Sequence, residues 1–283
     1  MLALQEVENG AILETFAQDT QKQFGYDWTA FASNPGYGLG VGMVSRIPII
    51  QTKAHSVTCD GETTPRPVLE VWVNPGDAPL VLFVCHWKSK LGGDDATESL
   101  RRASARVLLR RLQEIRAEYP GMPVVIMGDL NENYDEFYRR PGSGISALLP
   151  DDPEAAERAQ WGIVPVGKQS DFLIISREKP PRSDHFTANV IALISPWGNE
   201  LQHSQDCAGS YYYKNEWETI DHFLLNDGLF DQSGWDFDTC TVLYKEPFIN
   251  AAGHPDSYNP RTGNGLSDHL PLLLTLTRSA ITE

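Results

Sequence analysis

Cysteine is scarce. Four are spread over 283 residues, at Cys59, Cys85, Cys207 and Cys240, with no CxxC pair. That spacing argues against a structural zinc site. Cys85 lies in an apolar run and reads as a buried free thiol. Cys207 lies in a polar stretch and could pair with Cys240 or Cys59 in an oxidising compartment. Long apolar runs are also missing. The best, Leu270–Leu276, is strand-sized, so no transmembrane segment is expected. The opening residues, Met1 to Glu6, show no basic stretch followed by an apolar one, so no signal peptide is visible and no location is assigned. Basic residues are few: 23 Lys and Arg stand against 38 Asp and Glu, a formal net charge of −15. Such a surface repels polyphosphates at long range, which argues against a broad groove tracking duplex nucleic acid. It also favours solubility, and part of it suits carboxylates that hold a metal.

Hydrophobic residues make up 41% of the chain and aromatics 10%, enough for a sizeable core. Apolar spacing predicts a short helix over Gly10–Phe24 and a longer one over Thr97–Tyr119, capped by Asp95 or Thr97 and stopped by Pro120-Gly121. The arginines of the longer helix read as a solvated face. A weak helix is expected over Asp151–Arg158. Strands are expected at Gly38–Val44, Val68–Val73, Leu80–Cys85, Pro123–Met127, Phe172–Ser176, Val190–Ile194, Thr219–Leu225 and Leu270–Thr277. Asn74–Pro79 is a turn signature between two of them. No repeat or linker divides the sequence. A single α/β domain over residues 1–283 is expected, with packed sheets.

Several of these strands end in side chains suited to a metal or a phosphate. Val124–Glu132 runs from apolar residues through Gly128 to Asp129 and Asn131, which period-two geometry puts on one side. Asp129 could take a proton from water and Asn131 could donate to a phosphate oxygen. Leu82–Lys90 delivers His86 and Lys88 after an apolar run. Asp221 opens an apolar strand, so if buried it needs a cation or donors, a His first among them. Asp268 and His269 stand side by side before another apolar run, and Glu6 ends the first. Each segment alone also reads as a turn or a cap; the repetition of one design makes them a candidate site.

These motifs, in order along the chain, resemble those of the endonuclease/exonuclease/phosphatase superfamily, the fold group of deoxyribonuclease I. They are LQEV at Leu4–Val7, SRIPI at Ser45–Ile49, RPVLEV at Arg66–Val71, CHWKSK at Cys85–Lys90, GDLNEN at Gly128–Asn133, IDHFLL at Ile220–Leu225 and SDHLP at Ser267–Pro271. Gly209–Tyr213 is similar to the family's Ser/Thr-Tyr segment near the site. The resemblance implies two packed mixed β-sheets flanked by helices, a four-layer sandwich with the site at the strand mouths. It implies Mg2+, with Mn2+ as a substitute, held by Glu6 and Asp268. It implies Asp129 for the attacking water, Asn131 as its phosphate-orienting neighbour, His86 on the phosphate, Asp221 orienting His269, and His269 on the phosphate or in acid/base work. The base is either Asp129 or His269.

The family pattern normally begins one strand earlier, with an Asn that also faces the metal. Here the first matching strand ends in Glu6, and Asn9 follows it, so the expectation is a first strand missing and a metal half one ligand short. The resemblance implies hydrolysis of a phosphoester, nucleic acid or small phosphorylated molecule, most often by a nuclease-like phosphodiesterase. A small-molecule or lipid-headgroup phosphoesterase of the same superfamily is the near rival, and an inactive binding protein the rival of another class. A zinc hydrolase would need a tighter His/Cys set. A monomer is the expected oligomeric state.

Overall fold

The computed structural model describes residues 1–76, 78–139, 146–159, 170–176, 191–198, 201–202 and 207–278. Asp77 of the expected turn and Val190 of an expected strand lie outside them. The centre is an eight-stranded mixed sheet. Its spatial order is Leu148–Pro150, Leu173–Ser176, Ala192–Ile194, Asp221–Leu225, Val124–Asp129, Leu80–His86, Val68–Val73 and Ile49–His55. Alternation along the strands buries both faces. Leu80, Leu82, Val84, Val125 and Met127 face one side, and Val81, Phe83, Cys85, Val124 and Ile126 the other.

Each face has its own cover. The Asp94–Glu118 helix lays Ala105, Leu108, Leu112 and Ile115 on the second face. The first face receives two three-stranded sheets. One is Leu2–Val7, Gly40–Ser45 and Trp28–Ala32; the other is Leu201–Gln202, Trp235–Val242 and Leu272–Arg278. Ala30, Met43, Trp235, Phe237 and Leu274 pack there against the central sheet. The Gly10–Phe24 helix, capped by the Asn9 side chain on the Ile12 amide at 3.1 Å, seals the outside through Leu13. Helix, sheet, sheet and helix make the expected four layers. The second sheet layer is two separate sheets: among the described residues no hydrogen-bonded ladder joins the Leu2–Val7 and Leu272–Arg278 edges.

Several expectations need correction. The longer helix starts at Asp94, after Gly93, and no side chain caps it. Asp94 and Asp95 lie in its first turn, where the helix dipole favours them. Thr97 instead donates to the Gly93 carbonyl at 2.9 Å. Nor is the arginine face simply solvated. Arg101 is fully buried and bonds Glu132, Glu98 at 2.8 Å, the Thr97 hydroxyl at 2.8 Å and the Asp94 and Lys88 carbonyls. Arg111 grips buried Glu70 with two bonds of 2.8 and 2.9 Å, and His55 and Trp72 complete that carboxylate at 2.6 Å each. Both clusters tie the helix to the sheet by buried charge. All four cysteines are free, so the pairing of Cys207 with Cys240 or Cys59, which the sequence left open, is not made. Trp28–Ala32, Ile49–His55 and Trp235–Val242 are strands beyond those expected.

Two measurements test this architecture. Gly128 has φ +125°, and an added Cβ would meet the Cys85 carbonyl oxygen at 2.1 Å. Gly128→Ala is expected to cost at least about 2 kcal/mol in urea unfolding, since backbone must move. Burial works against ionisation of Glu70, but the bonds from His55, Arg111 and Trp72 and the Arg111 charge outweigh it and hold the carboxyl at about 2. A depressed acid adds stability above its unfolded value and loses it as pH falls toward 2. Glu70→Gln is therefore expected to flatten the acid limb of stability against pH, measured by denaturant midpoints between neutral pH and pH 2.

Candidate active site

The site is built at one end of the central sheet, by register. In the parallel ladder His86 pairs with Asp129, and in the antiparallel ladder Asp221 pairs with Asp129. Three of the candidate side chains thus stand abreast on adjacent strands. His86 Nε2 lies 3.4 Å from Asp129 Oδ2. The chain turns sharply after Asp129, which is where Asn131 arrives. Asn131 has φ 52°, a left-handed conformation that Asn tolerates. Its amide donates to Asp129 Oδ1 at 2.8 Å, closing an Asx turn. Its side chain donates to Asp129 Oδ2 at 2.8 Å and to the Trp87 carbonyl at 3.2 Å. The pair meets as expected, but through a turn rather than through strand alternation. Asp129 and Asn131 are both buried.

Asp221 meets the donor that its burial requires. His269 Nδ1 lies 2.7 Å from Asp221 Oδ2, and the Ser210 hydroxyl donates to the same oxygen at 2.6 Å. Desolvation opposes charge on both partners, yet the attraction and the hydrogen bond between them win. The Asp221 carboxyl is held below its ordinary value, and His269 is pushed up to about 10, with Asp129 and Asp268 adding to the effect. The His269 ring also stacks on Tyr211, centroids 4.6 Å apart. The neighbouring His222 points the other way. It is buried, hydrogen-bonded to the Glu132 carbonyl at 2.8 Å, and driven toward the neutral form by desolvation.

Glu6 and Asp268 are exposed. Glu6 has φ 57° in an irregularity of the Leu2–Val7 ladder, where the alternation of faces breaks. Arg66 has no role in the motifs as such, yet the charges of both Asp129 and Glu6 reach it. Arg66 donates to the Trp87 carbonyl at 3.2 Å, and burial lowers its pKa against the opposing charges of Asp129 and Glu6. The available signal was its place at the mouth of the Val68–Val73 strand, in the motif RPVLEV. Lys88, the second basic residue of CHWKSK, is turned onto the Ser89 and Leu91 carbonyls at 2.9 and 3.1 Å.

Behind these groups is a rigid support. Asn133 accepts from the Thr219 amide at 2.8 Å and donates to Glu136, which Lys90 pairs at 2.6 Å. Glu132 is locked by Arg101. Among the described residues, no three His, Cys, Asp or Glu side chains form a group that could hold a metal ion. That donor set does not fit a closed zinc cage. A hard cation that keeps most of its waters needs only one or two carboxylate oxygens.

The His269 environment gives a direct test. A raised histidine adds stability below its unfolded value near 6.5, and that stability is lost as pH rises toward 10. In metal-free protein, ring NMR signals of His269 are expected to stay in the protonated form at pH 8. Asp221→Asn is expected to bring the titration down toward the ordinary range; an unmoved titration would deny the pairing.

Comparison with known proteins bears on the family and the fold. Residues 1–269 match the model of the Endonuclease/Exonuclease/phosphatase family. No curated protein matches. The human Nocturnin catalytic domain with bound sulfate anion is similar in structure, with TM-score 0.52 and 16% identity over 98% of this chain and 80% of that one. D. rerio TDP2 complexed with single strand DNA product has TM-score 0.52 and 15% identity over 97% and 84%. An endonuclease/exonuclease/phosphatase family protein from Leptotrichia buccalis C-1013-b has TM-score 0.53 and 13% identity over 97% and 86%. At such identities the structures establish the shared fold, and the family match over most of the chain establishes membership: this protein belongs to the Endonuclease/Exonuclease/phosphatase family.

Proposed function

We propose that this chain, a single domain, hydrolyses phosphoester bonds with a divalent metal, as a nuclease-like phosphodiesterase. The observation that carries the reading is the row His86, Asp129 and Asp221, with His269 held on Asp221 at 2.7 Å. A phosphodiester anion repels a nucleophile, so the site must neutralise charge and place a base and an acid on opposite oxygens. His86 supplies a hydrogen bond to the phosphate and Arg66 a positive charge. Asp129, fixed by both bonds from Asn131, orients the attacking water and takes its proton as the new P–O bond forms. His269, with Nδ1 committed to Asp221, offers its Nε2 proton to the departing oxygen as the old P–O bond breaks. Asp221 fixes that tautomer and stabilises the imidazolium, the logic of a Ser-His-Asp triad applied to an acid. Ser210 donates to the same Asp221 oxygen.

Glu6 and Asp268 are the carboxylates left to hold Mg2+ or Mn2+, which when bound supplies charge neutralisation and a more acidic water. The preference for a diester rests on the family motif set and on the single strand DNA product bound by D. rerio TDP2, a protein of the same fold. Fold membership by itself does not choose a substrate.

The test is release of nitrophenol from bis-p-nitrophenyl phosphate and from p-nitrophenyl phosphate with Mg2+ or Mn2+. Turnover of the diester is expected to dominate, and it should vanish on chelation. No turnover of either would leave a binding protein; preference for the monoester would favour a small-molecule phosphatase. Asp129→Asn is expected to lower kcat at least about 100-fold with the fold intact by circular dichroism. His86→Ala and Arg66→Ala should each raise KM more than they lower kcat.

A further inference from the structure

The hairpin Tyr211–Tyr213 and Glu216–Glu218 enters the chemistry only through the neighbouring Ser210, and its aromatic rings have no part in it. Tyr211 and Tyr213 are two apart on one strand, so they share a face. Their rings stack, centroids 6.0 Å apart and planes within 18°. Tyr211 in turn stacks on His269, 4.6 Å away. A column of three rings therefore runs from the imidazole of the site outward to Tyr213, whose side is 49% exposed. The column is braced from behind. Tyr212, on the opposite face, stacks on His254 at 3.8 Å and meets Trp217 edge-on at 5.1 Å. The turn residues Lys214 and Asn215 have φ 50° and 67°, the pattern of a tight two-residue hairpin loop. That turn brings Lys214 Nζ to 5.1 Å from the Tyr213 ring centre.

We propose that Tyr213, backed by Tyr211 and flanked by Lys214, is a subsite for the unpaired base of the nucleotide next to the scissile phosphate, so that the site takes single-stranded rather than duplex nucleic acid. Every nucleobase has a π face, and an exposed ring on a rigid strand offers it a stacking platform at small ordering cost. Lys214 lies over the Tyr213 ring, and when it swings aside for a base it sets a positive charge at the edge of that platform, where a phosphate would otherwise meet a chain of net charge −15. A paired base keeps both faces in the duplex stack and cannot reach Tyr213. The same acidity disfavours the broad phosphate contacts that duplex binding uses. The stacking face is continuous with His269, so a bound base and the phosphate beside it are positioned together.

This inference rests on the phosphodiesterase reading, and the experiment separates the two. Anisotropy of a labelled single-stranded adenylate octamer with a hydrolysis-resistant phosphorothioate backbone, in Mg2+, reads binding without turnover. The wild-type chain is expected to bind it more tightly than the abasic octamer of the same backbone, and more tightly than the duplex. Tyr213→Ala is expected to weaken binding of the adenylate octamer about tenfold and to leave the abasic octamer unaffected. Tyr213→Leu, which keeps apolar bulk without a π face, should give the same loss, and Tyr213→Phe should retain affinity. Equal affinity of the wild type for adenylate and abasic octamers, or an octamer affinity unmoved by both Tyr213→Ala and Tyr213→Leu, overturns the subsite. A Tyr213→Ala loss confined to phosphatidylcholine vesicles overturns it in favour of a lipid surface. Tyr213-dependent binding in a chain that turns over no phosphoester would sink the enzymatic reading alone.

Discussion

The strand Val124–Asp129 is paired in parallel with Leu80–His86 and antiparallel with Asp221–Leu225, and the register of these two ladders brings His86, Asp129 and Asp221 abreast. The rest of the site follows from that alignment. A slip of one residue would turn Val124 and Ile126 away from the helix and move the apolar rows of both faces. Burial on two sides therefore fixes the register, and the register fixes the chemistry. Gly128 is the point of closest approach, where the backbone passes the Cys85 carbonyl with no room for a side chain.

The same alignment creates an electrostatic problem. Asp129 and Asp221 face each other across a hydrogen-bonded ladder in a chain already carrying a net charge of −15. Partners are gathered around them: protonated His269 on Asp221, the His86 ring beside Asp129, and Arg66 within the field of Asp129 and Glu6. Asn131 neutralises nothing but supplies two donors to one carboxylate. Low local dielectric makes each of these contacts stronger than it would be at the surface, and makes an unpartnered carboxylate there costly.

Support comes from a further ring of buried charge. Arg101 joins the helix start, the backbone after His86 and Glu132 just beyond Asn131. Glu70 ties the same helix to the far part of the sheet through Arg111. Removing one partner from such a cluster leaves a buried charge alone, whereas replacing the whole cluster by apolar groups need not destabilise. Their contribution is to hold geometry: the turn that carries Asn131 and Glu132 is anchored to an element outside the sheet.

Much of this was legible in the sequence. Apolar runs ending in Asp, His or Glu marked the strand ends, and the 3.6-residue pattern gave the helix over Gly10–Phe24 with its true bounds. Trp235–Val242 alternates aromatic or apolar with polar residues and carried a strand signal that went unused, while the polar edge strand Ile49–His55 carried little. Arg101 could not be told from its solvated neighbours, because helical spacing gives the face of a residue and not what stands opposite it. The bond of Arg66 to the Trp87 carbonyl and the stacking of Tyr211 on His269 were hidden for the same reason: the partners lie far away in the chain. Local pattern, which depends on neighbours three or four residues away, determined the elements and the chemistry at their ends. Which ends meet, which charges are buried together and which rings stack depend on pairing across as many as 203 positions, as between Arg278 and Pro75, and only the packed structure decided them.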